Sequence, residues 1–252
     1  MAAQIVEFSK QHAQQYDRDG YTIVPGFFDH SELELMRSVC DRAVADIDRR
    51  IDAGDPTVPD INHKNSRYFV PHAYRQFPEI GAVTFGAKIA DAASRILGDW
   101  VNLFLDQFVV KAAERGMKFS WHQDAGFITH RKVKPYLTCW IPLDDVTVAN
   151  GTIYVLPYDR AGTRELIEHV REPGSNDMVG YRGDDPGDPV EVAAGTLVAF
   201  SSHTLHRSGP NTTDRRRRVY LLQYAAELIT NANGSPRHHD TPFVRDGRVV
   251  AD

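Results

Sequence analysis

Short segments rich in β-branched and aromatic residues dominate the chain after Gly98, and they constrain its fold more than any other feature. Residues that favour turns separate five such segments, whose sequences are VNLFLDQFVVKA, YLTCWIPL, TIYVLP, TLVAFS and RVYLLQYAA. Regularly spaced strands of this kind are typical of antiparallel sandwiches and barrels. We therefore predict a mainly β core.

The remaining segments predict elements that flank this core. GYTIVPGFF at 20–28 alternates like a strand, and Asp29 or Ser31 is then expected to cap a helix to about residue 52. Residues 54–82 lack regular periodicity and predict a long loop or lid, whereas 84–97 predict a second helix. Residues 230–252 are expected to form a C-terminal tail or a hairpin that turns at Asp246-Gly247.

Length and composition predict one globular domain over residues 1–252. Of the 252 residues, 42% are hydrophobic and 25% are charged, which is typical of proteins with a sizeable core. The net charge of −5 argues against a nucleic-acid or anionic-membrane partner. Because no apolar run resembles a signal peptide or a membrane span, we expect a cytoplasmic protein. Cys40 and Cys139 are too few for a disulfide framework and are interpreted as buried packing residues.

Two segments far apart in the chain offer metal ligands. His122 and Asp124 form an HxD triplet, and on a strand these two side chains share one face. The triplet alone is weak evidence, but His203 and His206 follow the strand-like TLVAFS and offer a third ligand. Two histidines and one carboxylate bind Fe(II) in non-haem oxygenases and leave positions open for further ligands.

A cluster of arginines follows the second segment. Arg217 lies eleven residues after His206, beyond a predicted turn at 211–214 that would bring it back beside the metal ligands. A buried guanidinium there would bind the far carboxylate of a 2-oxo acid in a bidentate pair. Spacing alone does not decide among the four consecutive arginines at 215–218.

The chain resembles the phytanoyl-CoA dioxygenase-like family over nearly its whole length. The matching motifs are DGYTIVPGFF, WHQD, CWIPLDDVTVANGTIYVLP and HRSGPNTTDRRRRV. The resemblance implies a double-stranded β-helix (jelly-roll, cupin-like) dioxygenase that uses Fe(II), 2-oxoglutarate and O2. It implies that His122, Asp124 and His206 bind iron while Arg217 and Ser208 hold the far carboxylate of 2-oxoglutarate; His203 would be a neighbour and not a ligand.

The resemblance extends to further residues of the cosubstrate pocket. Phe119, Gln107 and Lys111 occupy positions where relatives contact cosubstrate or substrate, although each is also compatible with ordinary filling of the barrel. Thr138 and Trp140 share one strand face and are expected to line the same pocket.

Two departures from the family pattern and one retained residue bear on the reaction. Relatives commonly read ENG and then PGSH, whereas this chain has Ala149-Asn-Gly and then Pro-Tyr-Asp159-Arg160, so the second loop is expected to serve a different substrate. Asp124 retains the carboxylate ligand that related halogenases lack. The resemblance therefore implies hydroxylation or a related oxidation.

Polar and locally basic residues are expected to rim the mouth of the barrel. They predict a small polar or anionic substrate, and the alternative is a solvated lid whose charges contact nothing; the residues are Arg67, His72, Tyr74, Arg75, His130 and Arg131. Two other functions remain as alternatives. One is a jelly-roll metal enzyme that does not use 2-oxoglutarate, and the other is a non-catalytic binding protein that retains the barrel.

Overall fold

A computed structural model describes residues 6–112, 118–128, 130, 133–173 and 178–250. Its helices are α1 (Lys10–Asp19), α2 (His30–Asp52), α3 (Ala73–Gln76), α4 (Gly81–Thr84), α5 (Ala87–Leu97) and α6 (Tyr158–Ala161), with 3₁₀ turns at Pro78–Ile80 and Asp124–Phe127. Its strands are β1 (Tyr21–Val24), β2 (Arg67–Pro71), β3 (Val101–Lys111), β4 (Phe119–His122), β5 (Leu137–Pro142), β6 (Ile153–Leu156), β7 (Val170–Arg171), β8 (Met178–Val179), β9 (Asp188–Pro189), β10 (Leu197–Ser201), β11 (Leu205–Ser208), β12 (Arg217–Ala225), β13 (Thr241–Arg245) and β14 (Arg248–Val249).

The strands build a jelly roll from a large sheet and a smaller one. The large sheet has the order β1-β10-β5-β12-β3-β13-β14, and β2 also pairs with β3. The smaller sheet has the order β4-β11-β6-β9, and all of these pairings are antiparallel. The mainly β jelly-roll fold with flanking helices is thus confirmed.

Alternation along the central strands separates two buried faces of the large sheet. On β12, Tyr220 and Leu222 belong to the core that the sheet shares with α2 and α5. Val219 belongs instead to a core inside the barrel, together with Trp140 of β5 and Phe200 of β10. Because side chains alternate across a strand, the intervening odd-numbered positions of β12 face the barrel interior.

The helix α2 covers the outer face of the large sheet, as the sequence predicts. Asp29 caps it by accepting a hydrogen bond from the backbone N–H of Glu32, whose side chain accepts in return from the backbone of Asp29. Met36 and Cys40 are fully buried on its inner face. Cys139 is also buried, and both cysteines are unpaired, which confirms their interpretation as packing residues.

The structure corrects the prediction of a long loop at 54–82. Residues 67–71 form β2 and pair with β3 from Arg67 opposite Lys111 to Pro71 opposite Gln107. The expectation failed because RYFVP is short and ends in proline, so its strand character depends on pairing with a neighbour. The C-terminal hairpin does form, with Asp246 and Gly247 both at positive φ. No helix of the described residues is long and apolar enough to cross a membrane.

Candidate active site

Three side chains converge between the two sheets. His122 ends β4 and lies opposite His206 of β11, while Asp124 begins the 3₁₀ turn that follows β4. One Asp124 carboxylate oxygen, Oδ1, lies 3.5 Å from His206 Nε2 and 3.9 Å from His122 Nε2. The ligand atoms of the three residues all lie within 4.8 Å of one another, a spacing that allows one metal ion to be shared.

Backbone carbonyls orient both imidazole rings. His122 Nδ1 lies 2.8 Å from the carbonyl of Ser120, and His206 Nδ1 lies 3.0 Å from that of Thr204. A proton on each Nδ1 leaves the Nε2 lone pair for a metal. Burial, followed by the nearby His206, lowers the pKa of His122 to about 3, so its ring is neutral at physiological pH.

The Asp124 carboxylate is held through its other oxygen. Oδ2 accepts hydrogen bonds from the Thr138 hydroxyl at 2.6 Å and from Gln223 Nε2 at 2.9 Å. These bonds leave Oδ1 directed to the histidines. Thr138 therefore contacts the carboxylate that faces the metal position, and Gln223 is a supporting residue that the sequence reasoning missed.

His203 lies outside this group. Its Nδ1 is 3.3 Å from the carbonyl of Arg164, and its backbone carbonyl accepts from Gln123. The described His-Asp-His group contains His206 and not His203.

A buried cation lies at one end of the barrel interior. Arg217 is 2% exposed, and burial lowers its pKa to about 10, so it remains charged at neutral pH. One terminal nitrogen donates to the carbonyl of Gly151 at 3.0 Å, but its Nε has no hydrogen-bond partner among the described residues. Such a buried donor is costly unless a ligand satisfies it.

The neighbouring arginines differ from Arg217 in their surroundings. Arg215 and Arg216 are exposed. Arg218 is half-buried and pairs with Asp144 at 2.7 Å and with Asp41 at 3.1 Å. Of the four consecutive arginines, Arg217 is the one that the structure buries against the cavity.

A second cation adjoins Arg217 across the strand ladder. Lys111 pairs in register with Arg217 and is 4% exposed. Its Nζ donates to Ser208 Oγ and to the carbonyl of Gly209, each at 2.8 Å, and lies 5.0 Å from the centroid of the Phe119 ring. Arg217, Lys111 and Ser208 thus form a compact group of donors.

One cavity of about 800 Å³ contains both the triad and this donor group. Gln107, Trp140, Phe119 and Arg67 also line it, in agreement with the sequence-based placement of these residues near the pocket. Sequence reasoning did not single out further lining residues, because strand register and burial decide which side chains face the cavity; they include Phe104, Leu105, Tyr136, Arg207, Arg237 and His238.

Most of the expected rim residues do not line this cavity, so their role in substrate binding stays a prediction. His72 packs against the His239 ring at 4.5 Å, and the Tyr74 hydroxyl lies 2.9 Å from Thr241 Oγ1. Arg75 and His130 are exposed, and neither lines the cavity. Arg131 lies outside the described residues.

The loop that departs from the family pattern does not line the cavity either. Arg160 forms ion pairs with Asp185 and Asp188 at the protein surface. Neither Asp159 nor Arg160 lines the cavity, so the expected link between this loop and the substrate gains no support.

The chemistry of these groups fits iron and a 2-oxo acid. Two imidazoles and one carboxylate are the donor set of non-haem Fe(II) sites. The unsatisfied guanidinium of Arg217 matches the planar, bidentate geometry of a carboxylate.

Comparisons with known proteins agree with this site. Residues 16–219 match the family model for phytanoyl-CoA dioxygenase (PhyH). A probable alpha-ketoglutarate-dependent hypophosphite dioxygenase of Stutzerimonas stutzeri is 29% identical over 234 residues, covering 87% of this chain and 79% of that protein. An ectoine dioxygenase of Bordetella parapertussis is 26% identical, covering 91% and 81% respectively.

A solved structure shares the fold. EvdO2 from Micromonospora carbonacea var. aurantiaca, complexed with 2-oxoglutarate, superposes with a TM-score of 0.72 at 22% identity, covering 93% of this chain and 98% of that one. The family match covers most of the chain. The protein belongs to the phytanoyl-CoA dioxygenase family and is an Fe(II)- and 2-oxoglutarate-dependent dioxygenase.

Proposed function

We propose that the protein hydroxylates a small polar or anionic molecule in this cavity. His122, Asp124 and His206 bind Fe(II), and Arg217 with Ser208 binds the far carboxylate of 2-oxoglutarate. The observation that carries this assignment is the buried Arg217 with an unsatisfied Nε in the same cavity as the triad. When bound, iron and 2-oxoglutarate supply the oxidising power, with O2 consumed and succinate and CO2 released.

The residues of the chain position the reactants. Thr138 and Gln223 hold Asp124 so that Oδ1 faces the metal position. Lys111 orients the Ser208 hydroxyl and adds positive charge beside Arg217. Trp140 and Leu221 line the same cavity and exclude water from the cosubstrate carbons, which strengthens the charged contacts around them.

The anionic character of the substrate is inferred from the cavity wall. Besides Arg217 and Lys111, it contains four further basic residues, Arg67, Lys118, Arg207 and Arg237, and apart from the metal ligand Asp124 its acidic residues are two, Asp60 and Glu172. The relative from Stutzerimonas stutzeri carries the name of a hypophosphite dioxygenase, and hypophosphite is a small anion. We further propose that the chain acts as a single domain in the cytoplasm.

The rival functions explain the site less well. If the protein were a jelly-roll metal enzyme that does not use 2-oxoglutarate, the buried Arg217 with its unsatisfied donor would have no explanation. A non-catalytic binding protein has no need for a complete His-Asp-His group held by Thr138 and Gln223.

Anaerobic titration tests the proposal directly. Addition of Fe(II) and then 2-oxoglutarate to metal-free protein should produce a visible metal-to-ligand charge-transfer band. Zn(II) is the matched control, because its filled d shell gives no such band. Lack of the band at saturating Fe(II) and 2-oxoglutarate would contradict the proposal. Succinate release then screens candidate substrates.

A further inference from the structure

The cavity has a second basic end, opposite the one that contains Arg217. Along the ladder of β3 and β12, Lys111 pairs with Arg217 whereas Leu105 pairs with Gln223. Phe104 and Lys111 both line the cavity, and an extended strand separates them by roughly 23 Å at about 3.3 Å per residue. Gln223, which holds Asp124, pairs one residue from Phe104, so the metal ligands lie nearer to this second end than to the Arg217 end.

The C-terminal segment 237–239 forms this second end. The Arg237 backbone N–H donates to the carbonyl of Ile229 at 3.0 Å, and that of His239 donates to the carbonyl of Phe104 at 2.8 Å. A terminal nitrogen of Arg237 donates at 2.9 Å to the carbonyl of Phe127, the last residue of the 3₁₀ turn that begins with Asp124. Arg237 and His238 both line the cavity.

A buried contact between two side chains anchors the segment to the large sheet. His239 Nε2 lies 2.7 Å from Asp106 Oδ1, and both side chains are fully buried. The other oxygen of Asp106 accepts from the Tyr220 hydroxyl at 3.0 Å and from the Tyr74 backbone at 2.9 Å. The segment is thus held in place by β3 and β12, and these contacts fix the position of Arg237.

The charge of Arg237 is available to a ligand. No carboxylate of the described residues forms an ion pair with its guanidinium, which donates to the backbone carbonyl of Phe127. Burial raises the pKa of Tyr136, and the Asp124 carboxylate raises it further, whereas Arg237 lowers it. The charges of Asp124 and Arg237 therefore both act on the Tyr136 hydroxyl. Arg237 therefore acts on the metal-ligand side of the cavity.

We infer that Arg237, with His238 beside it, binds an oxyanion group of the substrate, such as a carboxylate, phosphinate or phosphonate, and determines substrate specificity. This inference rests on the proposed function, since it assigns 2-oxoglutarate to the Arg217 end. A substrate held by its anionic group at Arg237 extends from there to the metal ligands. A guanidinium binds such oxygens through two parallel hydrogen bonds.

Isothermal titration calorimetry tests this inference with acetate and methylphosphonate as probes. The protein is first loaded anaerobically with Fe(II) and saturating 2-oxoglutarate, so that the Arg217 end is occupied. Arg237→Gln should weaken binding of the better probe by about tenfold to a hundredfold. Arg237→Lys should retain part of the affinity. Arg75→Gln, an exposed arginine outside the cavity, is the matched control and should bind like the unmutated protein.

The charge-transfer band separates the possible failures. Lack of the band in the unmutated protein contradicts the proposed function itself. A normal band in Arg237→Gln together with unchanged probe affinity overturns only the present inference. Lack of measurable binding of both probes to the loaded unmutated protein also overturns it, as does an equal loss in Arg75→Gln.

Discussion

Burial distinguishes residues of the same type at this site. Arg217 is buried with an unsatisfied Nε, whereas Arg216, the preceding residue, is exposed and lies over the Tyr68 ring. Spacing placed a cation near the metal ligands but left the register open, because strand alternation and pairing with Lys111 decide which arginine faces inward.

Replacement of Arg217 should separate cosubstrate binding from metal binding. We expect Arg217→Ala to weaken 2-oxoglutarate affinity by about a hundredfold or more, because two charge-assisted hydrogen bonds are lost. Iron affinity should change little, since Arg217 contacts none of the three metal ligands. Anaerobic titrations with Fe(II) and 2-oxoglutarate measure both constants.

The control for this variant is Arg216→Ala. Its side chain is exposed and does not line the cavity, so both affinities should stay within about twofold. Equal loss of iron and 2-oxoglutarate in Arg217→Ala, or a stronger effect at Arg216, would show that the assigned register is wrong.

Among the elements, the turn before β6 supports the cosubstrate end of the cavity. Gly151 has φ +83, and a Cβ there would lie 2.8 Å from the carbonyl oxygen of Gly209. The carbonyl of Gly151 accepts from Arg217, and that of Gly209 accepts from Lys111. The close approach of the Gly151 and Gly209 backbones thus positions one carbonyl acceptor for Arg217 and one for Lys111.

Gly151→Ala should harm both stability and cosubstrate binding. Positive φ costs an alanine about 1 to 2 kcal/mol, and the clash with Gly209 should add about 1 to 3 kcal/mol. Gly162→Ala is the control, because Gly162 has φ +69 but nothing within 4 Å of an added Cβ. Thermal unfolding and 2-oxoglutarate titration should show a greater loss at Gly151; equal losses would contradict a role for this close approach.

At the scale of the whole molecule, the large sheet separates the helical layer from the cavity. Tyr220, Leu222 and Tyr224 of β12 belong to the same core as Met36 of α2, whereas other residues of this strand line the cavity, namely Arg217, Leu221 and Gln223. Stability and ligand binding therefore depend largely on opposite faces of the same strand.

Met36→Ala should lower stability without altering the site. Met36 is fully buried, so its truncation should reduce the free energy of unfolding by about 2 to 5 kcal/mol. The 2-oxoglutarate affinity of the folded protein should stay unchanged. Ser38→Ala, at an exposed position of the same helix, should cost roughly 0.5 kcal/mol or less. Denaturant unfolding measures the change in the free energy of unfolding. A weakened 2-oxoglutarate affinity in Met36→Ala would contradict the view that stability and ligand binding depend on opposite faces of β12.

The sequence by itself determined the β-rich core, the capped helix α2, the C-terminal hairpin and the motifs that identify the family. Each depends on residues close together in the chain, through side-chain alternation, capping or turn chemistry. The dioxygenase class and its iron and 2-oxoglutarate requirement followed from these motifs and are confirmed.

Only the tertiary structure decided which distant residues complete the cavity. Gln223 reaches Asp124 across 99 positions of the chain, and no local pattern marks that contact. Strand β2 exists through its pairing with β3, and Arg237 enters the cavity because the buried pair of His239 and Asp106 anchors its segment. These contacts arise from sheet register and burial, which bring together distant segments. The local sequence of each segment does not indicate which other segment it contacts.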